Sequence, residues 1–188
     1  ARMSRETRLG IPGITMLRAT NARERQHVLL VGIDGIGKNE LGKTMVATSK
    51  EMDLEMDVLL TNELPLKEQP DGRIDYVVFM VDMSSKLSFE RLMECVPHLD
   101  LEYCLGRISL VIINAETPAN FSFALDDITQ FATAQGMQVK FCTIEDTQSL
   151  RQTGVRIVKA CTQTTRNDGL PPLFSTLVDS DLVARTTL

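Results

Sequence analysis

Apolar residues along the chain recur in short continuous runs separated by stretches with helical spacing. Five such runs, over residues 27–31, 56–61, 74–81, 108–113 and 138–144, are typical of strands buried on both faces. Between them, Phe89, Leu92, Met93 and Val96 follow the i, i+3, i+4, i+7 spacing of an amphipathic helix. This alternation predicts a three-layer α/β fold, with a mostly parallel sheet covered by helices on both faces.

The same pattern divides the chain into three parts. Residues 1–26 contain Gly10, Pro12 and Gly13, and we expect a flexible N-terminal arm there. Residues 27–165 carry the alternating elements and form the predicted domain. Residues 166–188 form a separate tail that either binds a partner or packs back on the domain. Four apolar residues follow its Pro-Pro pair: Leu173, Phe174, Leu177 and Val178.

The amino-acid composition argues against two classes of function, nucleic-acid binding and membrane insertion. The formal net charge of −5 argues against a broad nucleic-acid-binding face, which requires a basic excess. The arm is locally basic, which fits a solvated segment or a minor contact with nucleic acid or an acidic partner. No apolar run approaches the roughly 20 residues that span a bilayer, so no membrane segment is predicted.

Candidate catalytic and metal-binding residues are few. The four cysteines show no C-x-x-C pairing, and the two histidines, His27 and His98, lie far apart, so neither a zinc site nor disulfides are expected. Neither the G-x-S-x-G nor the H-E-x-x-H pattern occurs. We therefore predict no catalytic residue and no metal site.

One motif does suggest nucleotide chemistry. Residues 32–39 match G-x-x-x-x-G-K, with Gly32, Gly37 and Lys38 in place, but Asn39 stands where Ser or Thr supplies the magnesium-binding hydroxyl. The loop is therefore either a vestigial phosphate loop that only joins strand to helix, or a site with residual nucleotide affinity.

The other nucleotide motifs are degenerate. Asp82 follows an apolar strand but is not followed by x-x-Gly, the sequence that would reach the γ-phosphate. After the next strand, Asn114 stands alone where N-K-x-D would select guanine, and the spacing of Glu116 is one residue short. These losses together weaken magnesium binding, base recognition and water positioning.

Several segments resemble the centromere protein M family. They are residues 29–32 (LLVG), 64–66 (LPL), 73–81 (RIDYVVFMV), 84–88 (SSKLS) and 105–107 (LGR). The resemblance covers most of residues 28–113 and is weaker afterwards. It implies a Ras-like small-GTPase fold without nucleotide binding or any other cofactor, in a non-catalytic subunit of the inner kinetochore. The phosphate loop here is closer to a working one than the family leads us to expect.

The resemblance also implies partners and a location. The expected partners are centromere proteins H, I and K, with the helical-repeat protein I as the direct contact, in the nucleus at centromeres. A P-loop small GTPase switch with weak or slow turnover remains the alternative. Besides the tail, we expect a partner contact at Tyr103 and Leu105, unless that loop simply packs on the core.

Overall fold

The computed structural model describes residues 15–17, 25–67 and 73–166. Six strands form one sheet in the order β1-β3-β2-β4-β5-β6. The strands are β1 (Thr15–Leu17), β2 (Gln26–Val31), β3 (Met56–Thr61), β4 (Tyr76–Asp82), β5 (Ile108–Ile113) and β6 (Gln138–Cys142). Strands β2 to β6 pair in parallel, and β1 pairs antiparallel with β3. The predicted three-layer α/β fold is confirmed.

The helices lie on both faces of the sheet. They are α1 (Lys38–Glu51), α2 (Lys86–Cys95), α3 (Leu101–Cys104), α4 (Leu125–Ala134) and α5 (Thr147–Arg166). The buried side chains of α1 and α5 share one core cluster, and those of α2 and α4 share the other. Within the described ranges, none of these helices combines the length and apolarity needed to cross a bilayer.

Strand β4 explains why the apolar runs are continuous. Val78 and Met80 point to the core shared by α1 and α5, whereas Val77, Phe79 and Val81 point to the opposite core. Because both faces are covered, every position on the strand gains from being apolar. Burying each large aliphatic side chain contributes roughly 1.5–3 kcal/mol.

The helix ends follow local chemistry. Pro97 lies in a 3₁₀ turn that ends α2, as the sequence predicts. Gly136 follows α4 with φ +67°, and a Cβ there would lie 2.6 Å from the carbonyl oxygen of Cys104. Glycine is therefore required both by the backbone and by the close approach of α3. The prediction that Met93 lies on the buried face of α2 is wrong, because Met93 is exposed while Leu92 is buried.

The N-terminal segment differs in part from the expected arm. Residues Thr15–Leu17, placed in the flexible arm by the sequence, form β1 against β3. Gln26, assigned to the same arm, is the buried first residue of β2. Residues 1–14, 18–24 and 167–188 lie outside the described part of the chain, so the rest of the arm and the tail stay predictions.

The connection from β3 to β4 is unusual for a parallel sheet. These strands flank β2, so the connection passes over β2, a crossover that usually contains a helix. Its described parts, residues 62–67 and 73–75, contain neither helix nor strand. Leu64, Leu66 and Ile74 pack into the core on the face of α2 and α4. In these described parts, irregular chain instead of a helix covers that face over β2.

A buried lysine lies beneath α5. The Lys140 ammonium donates to Ser109 Oγ at 2.8 Å and to Gln138 Oε1 at 3.2 Å. The hydroxyls of Ser109 and Tyr76 are 2.7 Å apart. Burial, reinforced by the nearby charge of Arg156, lowers the pKa of Lys140 from 10.5 to about 8. The folded state therefore disfavours the charged lysine.

Replacing Lys140 with Met is expected to raise the free energy of unfolding near pH 7 by about 1–3 kcal/mol. Its two acceptors stay satisfied in the variant, because Ser109 keeps its hydrogen bond with Tyr76 and the exposed Gln138 can bind water. The advantage should shrink as the pH rises from about 8 towards 10.5, because in that window the unfolded wild-type chain binds more protons than the folded one and wild-type stability rises. Urea unfolding across this pH range measures the difference. The exposed Lys159→Met is the control and should change stability by less than about 0.5 kcal/mol. A Lys140→Met variant less stable than wild type at pH 7 would contradict the account.

Candidate functional site

A cleft of about 860 Å³ lies at the carboxyl edge of the sheet. The loop of residues 32–37 and the first turn of α1 form one side, and segments that follow β4, β5 and β6 form the rest. Ligands of open parallel sheets bind at this edge, so the cleft is the natural place for a nucleotide. The structure thus brings Gly37, Lys38 and Asn39 together with Asp82, Asn114 and Glu116.

Glycines give the loop its shape. Gly37 immediately precedes α1 with φ +87°, a conformation that side-chain-bearing residues rarely adopt. A Cβ on Gly37 would lie 2.9 Å from carbons of Ile144, so this isoleucine packs directly against the loop. The apolar side chain of Ile144 therefore occupies part of the cleft wall beside the start of the helix.

Lys38 is held inside the loop. Its ammonium group donates to the carbonyl oxygens of Gly32 and Thr61 and to Asn62 Oδ1, and the residue is only 8% exposed. Burial lowers the pKa of Lys38, and the Asp34 carboxylate, 4.0 Å away, partly opposes that effect. A lysine ammonium has three N–H donors, so these three acceptors use all of them. A phosphate could contact Lys38 only by displacing one of these bonds.

The remnants of the other nucleotide motifs are joined to each other. Asp82 Oδ1 accepts from Asn114 Nδ2 at 2.9 Å, and from the backbone N–H and hydroxyl of Ser84 at 2.8 and 2.7 Å. Asn114 has φ +57°, which directs it out of the strand end. The two residues that would bind magnesium and base in a GTPase therefore bind one another.

The cleft is strongly acidic. Glu116 accepts a hydrogen bond from Thr143, and Asn39 is exposed at the rim. Five carboxylates line the cleft, on Asp34, Glu40, Asp82, Glu116 and Glu145, whereas Lys38 is the single cation among the described lining residues. In the parts of the chain that the structure describes, no cluster of three or more His, Cys, Asp or Glu could hold a metal ion. An anionic ligand would meet net repulsion here.

The second predicted contact lies at the opposite edge, on α3. Leu105 is 57% exposed, and Leu101, one helical turn earlier, is 78% exposed. Tyr103 faces the other way, since its hydroxyl donates to the carbonyl oxygen of Ile74 at 2.8 Å. Burial of this side chain raises the pKa of Tyr103. An ion pair between Arg73 and Glu102 at 2.9 Å ties α3 to the start of β4. The exposed apolar pair is thus presented on a helix turn that is anchored from behind.

The sequence interpretation missed Leu101. Its neighbours Asp100 and Glu102 are both acidic and exposed, so a leucine between them could have been recognised as an apolar side chain on a solvated turn. Tyr103 and Leu105, which the sequence placed in one contact, point in different directions. The tail residues of the other predicted contact, Leu173, Phe174, Leu177 and Val178, lie outside the described residues.

Replacing Lys38 with Met is expected to lower the free energy of unfolding by about 1–3 kcal/mol, because it leaves three internal acceptors without their donor. Urea denaturation measures the change. Lys43→Met, on an exposed face of the same helix, is the matched control and should stay within about 0.5 kcal/mol of wild type. Equal stability of the two variants would mean that Lys38 is not a structural tie.

Comparison with known proteins gives one consistent result. The family described as Centromere protein M (CENP-M) matches residues 17–180. Centromere protein M of Bos taurus is 29% identical over 138 residues, which is 71% of this chain and 76% of the relative. Centromere protein M of Homo sapiens is 25% identical over 138 residues, with the same coverage. Because the match spans most of the domain and continues into the tail, the chain belongs to the centromere protein M family.

Proposed function

We propose that this chain is a non-catalytic, protein-binding subunit of the inner kinetochore, a pseudo-GTPase that acts as a scaffold. Membership of the centromere protein M family supports the centromeric setting. The state of Lys38 carries the rest of the proposal. In a working phosphate loop this lysine neutralises phosphate charge, whereas here its donors bind Gly32, Thr61 and Asn62.

Three features of the cleft weaken the binding of a nucleotide with magnesium. Oδ1 of Asp82 accepts from Asn114 and Ser84, so a metal bound at this oxygen would displace those hydrogen bonds. Asn39 offers no hydroxyl for magnesium. The acidic lining repels the phosphates of a nucleotide unless cations accompany them. Each effect alone is worth about 1–3 kcal/mol, and together they remove most of the affinity that charge-assisted contacts supply.

The exposed pair Leu101 and Leu105 is the proposed partner-binding surface. Two leucines one turn apart fit an apolar groove between helices, such as a helical-repeat protein offers. We propose centromere protein I as the direct partner, with centromere proteins H and K in the same assembly, in the nucleus. The rigid attachment of α3 through Tyr103 and Arg73 limits the entropy lost on binding.

A second candidate function is a small GTPase switch with weak or slow turnover. The intact G-x-x-x-x-G-K backbone, with Gly37 in its left-handed conformation before α1, favours it. In that case nucleotide would displace Lys38 from its internal acceptors. The two functions therefore differ in one measurable property, the affinity for GTP with magnesium.

Calorimetric titration of the purified chain with GTP and Mg²⁺ is expected to give no saturable binding at nucleotide concentrations up to about 1 mM. A dissociation constant above that concentration corresponds to a binding free energy weaker than about −4 kcal/mol. Asn39→Ser, which restores the missing hydroxyl, should not create a site, because Lys38 and Asp82 stay engaged. Micromolar binding by wild type, or nucleotide released from it in stoichiometric amount, would favour the switch.

Leu101→Glu and Leu105→Glu are expected to reduce co-purification with centromere protein I at least tenfold, because each buries a charge at the contact. Circular dichroism and thermal melting should match wild type, since both side chains are exposed. Leu87→Glu is the matched control. It replaces a leucine of similar exposure, 55%, at the start of α2 near the opposite edge of the sheet. Undiminished co-purification of both α3 variants would refute this surface.

A further inference from the structure

A groove of about 630 Å³ opens where the described parts of the crossover, residues 62–67 and 73–75, place no helix over β2. Leu29, Ile74 and Val77 form its floor, the crossover residues 64–66 form one wall, and Leu99 and Tyr103 form the other. Its rim is polar, with Arg73, His98, Asp100 and Glu102. The groove lies on the inner side of α3, away from the exposed Leu101 and Leu105. It is therefore a separate surface from the proposed partner contact.

We propose that the C-terminal tail of the same chain fills this groove, with Leu173, Phe174, Leu177 and Val178 as the inserted residues. This goes beyond the proposed function, which does not depend on it. The tail takes the place that a crossover helix would occupy in a regular parallel sheet.

The spacing of the tail residues fits that place. Leu173 and Leu177 are four residues apart, and so are Phe174 and Val178, which is the spacing of one face of a helix. Ser175, Thr176 and Asp179 provide the polar face, and Pro171 and Pro172 come just before the apolar set, where proline is tolerated at a helix start. A two-turn helix with one apolar face would match this groove, whose floor is apolar and whose rim is polar.

The described chain ends in reach of the groove. Cys161 on α5 is buried in the core cluster that contains Tyr76, the first residue of β4, and Tyr76 comes two residues after Ile74 of the groove floor. Helix α5 ends at Arg166, about 7.5 Å beyond Cys161. The seven residues from Arg166 to Leu173 span up to about 25 Å, which is enough for the roughly two helix diameters between the layer of α5 and the opposite face of the sheet. Tethering at this length gives an effective concentration in the millimolar range.

The extent of the family match supports a tail that belongs to the domain. It continues to residue 180 and so includes the four apolar residues, whereas residues 181–188 lie beyond it. A segment that completes the core of its own domain is expected to be part of the family pattern. This boundary also supplies a control position, Thr187.

Because the chain contains no tryptophan, Phe174→Trp provides a single fluorescent reporter in the full-length protein. We expect blue-shifted emission that does not change on dilution, and a red shift when Leu66→Glu is added to alter the groove wall. Thr187→Trp should emit as a solvent-exposed indole with or without Leu66→Glu. Circular dichroism checks that each variant is folded.

A photo-crosslinking amino acid at position 177 gives an answer that does not require Leu66→Glu to fold. We expect crosslinks within the monomer to peptides containing residues 64–66 or 99–103. Exposed emission from Phe174→Trp, or crosslinks elsewhere in the chain, would overturn the proposal. Crosslinked dimers whose yield falls on dilution would overturn it in favour of a second copy.

Discussion

The hydrogen bonds of the Lys38 ammonium are the constraint on which the proposed function of this fold depends. They close the loop between β2 and α1 on itself and tie it to the end of β3 at Thr61 and Asn62. A lysine that binds phosphate must keep its charge available to the cleft, but this one is buried and saturated. Around it, Asp82 and Asn114 bind each other and the remaining charges are acidic. The architecture of a nucleotide site is present, and its polar groups stabilise the protein instead.

In the proposed function, binding takes place at the surface of the domain instead of in the cleft. A groove opens beside the crossover between β3 and β4, whose described residues contain no helix, and the short α3 separates that groove from the exposed Leu101 and Leu105. Tyr103 and the Arg73–Glu102 pair hold α3 in position from the groove side. This short helix thus has two distinct faces, and the proposals assign one to the tail of the same chain and the other to a partner.

The sequence predicted the sheet well because its strands are buried on both faces. The run at residues 108–113 coincides with β5, and the run at 56–61 with β3, since both are mostly apolar and polar residues flank them at each end. Strand β1 was missed, because three residues carry no periodicity and its pairing with β3 depends on residues some forty positions away. Met93 was misplaced because helical spacing alone does not fix where the buried stripe of a short helix ends.

The candidate site was only partly predictable, because its geometry also depends on contacts between residues that are far apart in the sequence. The sequence indicated a degenerate loop at Gly32, Gly37, Lys38 and Asn39, and these residues do line or border the cleft. Two of the three acceptors that immobilise Lys38 belong to Thr61 and Asn62, which no local motif connects to the loop. The opposite directions of Tyr103 and Leu105 depend on a four-residue helix whose pattern is too short to recognise.

Native mass spectrometry of the intact complex, purified from cells without added nucleotide, tests the central claim most directly, because a partner could complete a site that the isolated chain lacks. The account predicts that this subunit carries the mass of its polypeptide alone, within the complex and after release from it. A subunit that retains one GDP or GTP with magnesium, and loses it in Lys38→Met, would contradict the account.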